Sequence, residues 1–207
     1  RLQPALRMIA AHPGLAAYGP FLPAIDALAT AYVVAALQQL GLPLREGDIV
    51  PGEGLAARLG VLPRHVQLVQ RMLEMLVEDG ILSAEDHGWR VAGGVAADPE
   101  AMCAGLFERF PTCEAELEVT QACGARLAEV LRGGVDPLAL LFPGGSLERT
   151  ERIYGGSPPA QAFNRLVGEV VRTAVAEVPT SRPLRVLEIG AGSWSTTSEV
   201  LAHLPAG

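Results

Sequence analysis

Lysine is absent from this 207-residue chain, and all 16 basic residues are arginine. Against them stand 23 acidic residues, which leaves a formal net charge of −7 at pH 7. Nucleic-acid binding draws much of its affinity from clustered cations set against phosphates, so no nucleic acid is expected as a partner. The missing lysine, beside abundant Ala, Gly, Pro and Leu, reads as a coding bias. Cysteine is scarce too. Cys103, Cys113 and Cys123 are too few and too widely spaced for a disulfide framework or a zinc knuckle. They read as small buried hydrophobes on helices, no metal site is expected, and the expected compartment is cytoplasmic. Long apolar runs are missing as well. The stretch Ile25 to Leu40 is cut by Asp26, Gln38 and Gln39, short of the roughly 18 uninterrupted apolar residues of a membrane helix. Arg1 to Leu15 carries Pro4, Arg7, His12 and Pro13 where a secretory signal needs apolar residues, so neither membrane nor export is expected.

What the chain does have is hydrophobic residues, 49% of the total, enough to build a sizeable core. Residues 1–23 read as a short helix followed by a connector broken by Gly19, Pro20 and Pro23, with little order of its own. Ile25, Leu28, Ala29, Tyr32, Val33, Ala36, Leu37 and Leu40 then recur at helical spacing until Gly41 ends the run. A short helix near Gly54–Leu59 precedes a longer one opened by Pro63 and striped by Val66, Val69, Met72, Leu73, Leu76 and Val77, with Gly80 as terminator. Ile81–Ser83 and Trp89–Val91 flank a turn and predict a two-stranded ribbon. Helix, short helix, helix and ribbon make a winged helix. Its longer helix carries Arg64, His65 and Arg71 but also Glu74, Glu78 and Asp79, which favours a packing or dimerisation module over a reader of DNA.

Asp98 and Pro99 cap a predicted helix to about Phe110, a second runs from Cys113 to Leu131, and a short one follows Asp136-Pro137. The run Glu114, Glu116, Glu118 reads as a solvated face. Ser157-Pro158-Pro159 caps a helix whose apolar stripe is Phe163, Leu166, Val167, Val170, Val171, Ala174, Val175 and Val178. After the connector Pro179–Pro183, Leu184–Ile189 is a predicted strand, Gly190–Trp194 a glycine loop and Thr196–Leu204 a helix. Strand, loop and helix open an α/β nucleotide-binding unit.

The glycine loop carries the chemistry. Glu188 ends the strand, and Gly190, Ala191 and Gly192 let a ligand approach the backbone. The pattern resembles motif I of class I methyltransferases, in which such residues cradle S-adenosylmethionine. Residue 195 is Ser, unlike the last glycine of a dinucleotide fingerprint, and Trp194 stands where the methyltransferase pattern has its third glycine. Two further segments, Glu148–Asn164 and Arg71–Leu82 with Gly88–Val91, are similar to the lid-to-core joint and the winged-helix lid of C-methyltransferase domains in modular polyketide synthases.

That resemblance implies a mainly α fold. A helical lid with a winged-helix subdomain would join the first β-α unit of a class I, Rossmann-like methyltransferase core. It divides the chain into an N-terminal connector, 1–23, a lid, 24–146, and the lid-core joint with the start of the cofactor core, 147–207. It implies methyl transfer from S-adenosylmethionine to the α-carbon of a chain held by phosphopantetheine on an acyl carrier protein, among neighbouring synthase domains. Glu188, Gly190, Ala191, Gly192, Trp194 and Asn164 would meet the cofactor, and Tyr154 would line the active site or pack the joint. The family's His and Glu base pair falls after residue 207, so the 207 residues alone are expected to be inactive, and His203 is expected on the surface. Two alternatives stay open, a degenerate methyltransferase serving as a scaffold and an O-methyltransferase acting on a free small molecule.

Overall fold

In the computed structural model, residues 3–93, 98–179 and 184–205 are described. The fold is mainly helical with one small sheet. Helix α1 (Gln3–Ala10) leads into α2 (Pro13–Gln39), followed by β1 (Ile49–Pro51), α3 (Leu55–Arg58), α4 (Val66–Glu78), β2 (Leu82–Glu85) and β3 (Gly88–Val91). Then come α5 (Pro99–Arg109), α6 (Glu114–Gly124), α7 (Leu127–Arg132), α8 (Pro137–Leu141), α9 (Glu148–Glu151), α10 (Pro158–Val175) and α11 (Ser195–Leu201).

Helix α2 corrects two expectations. The segment before Pro23 is no loose connector, because the helix passes without a break through both Pro20 and Pro23. Each proline withholds one N–H from the ladder, but both are exposed, where water can satisfy the freed carbonyls. The opposite side explains why the helix survives. Phe21 is 0% exposed, with its ring 5.4 Å from those of Tyr18 and Phe110. With this extension, Gly14–Gln39 is long and apolar enough to cross a membrane by length and composition, although Asp26 and other polar residues interrupt its apolar run. Half of an 18-residue apolar window within it is buried inside this fold.

The helix serves two cores. Its first half packs Phe21, Leu28 and Tyr32 against Cys103, Leu106, Phe110, Cys113 and Leu117 of α5, α6 and the turn between them. Its second half packs Val33, Leu37 and Leu40 against Leu55, Val69, Leu73, Leu76, Leu82, Val91 and Leu131. Arg132 of α7 ties that second core together, donating to the carbonyls of Leu40 (3.1 Å) and Leu59 (3.2 Å) at the C-terminal ends of α2 and α3. Cys103 and Cys113 are buried free thiols, and burial pushes the pKa of each upward, in keeping with a packing role.

The ribbon gains a third strand. β1 pairs antiparallel with β3, and β3 with β2, in the order β1-β3-β2, with Val50 opposite Trp89 and Leu82 opposite Val91. Three residues ending in proline carry no strand signal, and Pro51 is tolerated because β1 is an edge. At Gly88 a Cβ would stand 2.1 Å from the Val50 carbonyl oxygen, so only glycine lets β1 close onto the ribbon. On α4, Arg71 is held by Glu78 at 2.6 and 3.0 Å and lies 3.5 Å from Glu74, so its charge is spent within its own helix.

The helix predicted over Cys113–Leu131 is two helices, broken after Gly124. Tyr32 lies over that glycine, and a Cβ there would sit 2.3 Å from Cγ of the ring. The acidic run on α6 is also no simple solvated face. Glu114 and Glu118 are held by Arg152, and both carboxylate oxygens of Glu116 are buried with no hydrogen-bond partner among the described residues. A buried carboxylate without a partner costs stability. Glu116→Met, of similar volume and uncharged, is therefore expected to stabilise the fold by about 1–3 kcal/mol, read as a rise in the urea midpoint at unchanged slope.

Helix α10 starts as expected, with Ser157 Oγ accepting from the Ala160 N–H (3.4 Å), but its apolar stripe does not face a core. Phe163 is 66% exposed, and Val167 and Val170 are exposed too. The buried face is instead the small-residue side, Ala162 and Gly168. Leu184–Ile189 forms no strand. No neighbouring strand lies beside it among the described residues, and a lone strand has no partner for its N–H and C=O groups. Its apolar side chains stand exposed, Leu187 at 84% and Ile189 at 88%. Residues 180–183 of the expected connector lie outside the described residues.

Candidate functional site

The residues singled out by sequence gather where α9, α10 and α11 meet. Between α9 and α10 the backbone widens into one π turn, Arg152–Gly156. A π turn loosens the helical ladder and leaves carbonyls to be satisfied by other means. Here α10 and its cap supply them. Ser157 Oγ donates to the Ile153 carbonyl (2.8 Å), Asn164 Nδ2 to that of Tyr154 (2.9 Å) and Gln161 Nε2 to that of Gly156 (3.1 Å). Tyr154 is thus held by its backbone while its side chain, 61% exposed, stands free.

The glycine loop is fixed to the same place. Asn164 has a second bond, its Oδ1 accepting from Thr196 Oγ1 of α11 at 2.7 Å, so one side chain joins the π turn to the helix after the loop. Gly155 abuts Ser195 so closely that a Cβ would come within 2.8 Å of its Oγ. Gly168 plays the same part lower down, admitting Glu199 and His203 of α11 against α10. His203 is therefore half-buried at a helix junction, not a surface residue, with Nε2 3.9 Å from a Glu199 oxygen.

Glu188 is exposed, and both of its carboxylate oxygens lie at hydrogen-bond distance from Thr197 Oγ1, at 2.7 and 2.8 Å. Gly190 and Gly192 have φ of 77° and 58°, and a Cβ at Gly190 would meet nothing within 4 Å. Trp194 is the one non-glycine residue at positive φ (63°) among those described, the conformation that the glycine of the family pattern would adopt freely. The residue is 62% exposed. The strain of a bulky residue in this region is of the order of 1 kcal/mol or more. A cavity of about 300 Å³ opens beside Gly155, Asn164, Ser195 and Glu199.

No protein-family model matches the chain. Solved structures and curated sequences do. The carbon methyltransferase of CurJ superposes with a TM-score of 0.90 at 33% identity, over 99% of this chain and 55% of that one. The carbon methyltransferase domain of the citrinin polyketide synthase gives 0.77 at 26% identity, over 97% and 55%. The chain corresponds in fold and sequence to a part of a polyketide synthase carbon methyltransferase domain. It spans about half the length of these solved domains, 55% in both. It is also 32% identical over 186 residues to the non-reducing polyketide synthase nvfA of Aspergillus novofumigatus, covering 87% of this chain and 8% of that protein.

Within this carbon methyltransferase part, sequence reasoning missed four side chains that organise the site. Arg152, Ser195, Thr196 and Thr197 carry no motif signature alone. Ser195, Thr196 and Thr197 follow the glycine loop directly, however, and adjacent hydroxyls at a helix start, within reach of the Glu188 carboxylate, were the available signal.

Proposed function

We propose that this chain supplies the lid (24–146), the lid-core joint and the cofactor loop (147–207) of a domain that moves a methyl group from S-adenosylmethionine to the α-carbon of an acyl chain on an acyl carrier protein. The observation that carries this reading is the Glu188 carboxylate before two positive-φ glycines, in a chain that superposes on a carbon methyltransferase. The residues fit the cofactor's nucleoside. An exposed carboxylate accepts hydrogen bonds from a vicinal diol, and Gly190, Ala191 and Gly192 keep the loop free of bulk. When bound, adenosylmethionine supplies an electrophilic methyl group. The chain's own residues bind and orient: Glu188 takes the ribose hydroxyls in exchange for Thr197, Asn164 holds α11 to the joint, and the free Tyr154 phenol donates to the acyl carbonyl oxygen as negative charge develops there. The half of the domain length outside the match would cover the exposed stripe of α10 and pair with Leu184–Ile189.

Titration of the complete domain with adenosylmethionine should release heat of one-site binding, and intact mass spectrometry of the acyl carrier protein should show one added methyl equivalent. Binding without transfer would leave the scaffold reading, which Trp194 at the third glycine position favours. An absence of binding heat would end the enzyme reading.

A further inference from the structure

The Tyr154 turn is held from two sides, and the second side belongs to the lid. Arg152, the first residue of the turn, reaches across to α6 and donates from Nη1 to Glu118 (2.6 Å) and from Nη2 to Glu114 (3.1 Å). Glu114 and Glu118 are one helical turn apart on the same face, and a planar guanidinium can hold both carboxylates at once. The remainder of the turn is held by α10, through Ser157, Gln161 and Asn164. The turn therefore has one anchor in the lid and three on the core side, with Tyr154 two residues from the first.

We propose that Arg152 is a positioning residue: by gripping both carboxylates of α6 it makes the placement of the lid set the placement of the Tyr154 phenol at the acyl substrate. This rests on the function proposed above. It explains why one arginine of the joint bridges two acids that are otherwise without a counter-charge among the described residues. It also separates two tasks at the turn. Asn164 ties it toward the cofactor loop, and Arg152 toward the lid.

The test uses the complete methyltransferase domain with its acyl carrier protein substrate. It compares wild type, Arg152→Ala, Arg152→Lys, Tyr154→Phe and the Arg152→Ala/Tyr154→Phe double variant. Each is measured for adenosylmethionine affinity by calorimetry, for kcat and KM, and for hydrogen exchange at the amides of residues 153–157. Arg152→Ala should speed exchange across the turn at least about tenfold and lower kcat by a similar factor, while cofactor affinity stays within about twofold. Lysine should restore only part, because one ammonium cannot bridge both acids. The double variant should be no slower than Tyr154→Phe alone, since Arg152 acts through that phenol. Unchanged exchange in Arg152→Ala, additive losses in the double variant, or cofactor affinity falling in step with kcat would each overturn the proposal. The exchange arm also decides the case if Arg152→Ala proves unstable, because Arg152→Lys keeps the charge and should still loosen the turn. A wild-type domain that binds no cofactor and transfers no methyl group strikes the function reading instead, which the exchange data read separately.

Discussion

Glu188→Gln in the complete domain is expected to weaken S-adenosylmethionine binding by roughly 100-fold, with the melting temperature nearly unchanged. A hydrogen bond to a charged acceptor is worth about 1.5–3 kcal/mol. Losing the charge beneath two ribose hydroxyls removes about 3 kcal/mol, and each 1.4 kcal/mol is about tenfold in affinity. Stability should hold because Glu188 is exposed and Thr197, its hydrogen-bond partner among the described residues, keeps an acceptor in the glutamine oxygen. Calorimetric titration of both proteins decides the matter. A variant that binds as tightly as wild type would remove Glu188 from the cofactor site and leave the glycine loop as a plain connection.

The second large effect lies far from the loop. Phe21→Ala is expected to destabilise the fold by about 3–5 kcal/mol, as large aromatic truncations in full cores do. For a chain of this size that is a fall of roughly 6–20 °C in melting temperature, followed by circular dichroism. The magnitude tests the helix through the prolines. Phe21 lies between Pro20 and Pro23 and is wholly buried against Tyr18 and Phe110. In a loose connector, the same truncation would cost no more than about 0.5 kcal/mol.

That segment marks where local sequence stopped being informative. Prolines are strong breakers in an isolated helix, and the expectation of a connector follows from them alone. What keeps the helix is burial of Phe21 against Phe110, almost ninety positions later, which no local pattern displays. The break after Gly124 is the same lesson reversed, a continuous pattern interrupted by the Tyr32 ring. Where a device is local, the reading holds. Asp98 caps α5 by accepting from Glu100 and Ala101, Asp136 caps α8, and the ribbon turns at the expected residues. Strand β1 escaped because its ladder is made wholly with β3.

The site divides in the same way. Tyr154, Asn164 and the glycine loop were legible because a motif names them, and the structure joins Asn164 to both the Tyr154 carbonyl and the helix after the loop. Arg152 was not, since its partners lie 34 and 38 residues back on another helix. The stripe of α10 was legible as a pattern but not in the side it faces. Periodicity marks an apolar face but does not say what covers it, and here Phe163, Val167 and Val170 look outward.

Helix α2 carries a consequence of its own. Its 27 residues extend about 40 Å and furnish one wall to each core, Phe21 and Leu28 to one, Leu37 and Leu40 to the other. Neither core can come apart while the other stays whole unless this single rod frays in its middle, at Tyr32 and Val33, where both residues are buried. Mechanically the two halves share an axle, so a disturbance that turns the helix at the Phe110 end arrives at the three-stranded sheet as a rotation, with no loop between them to absorb it.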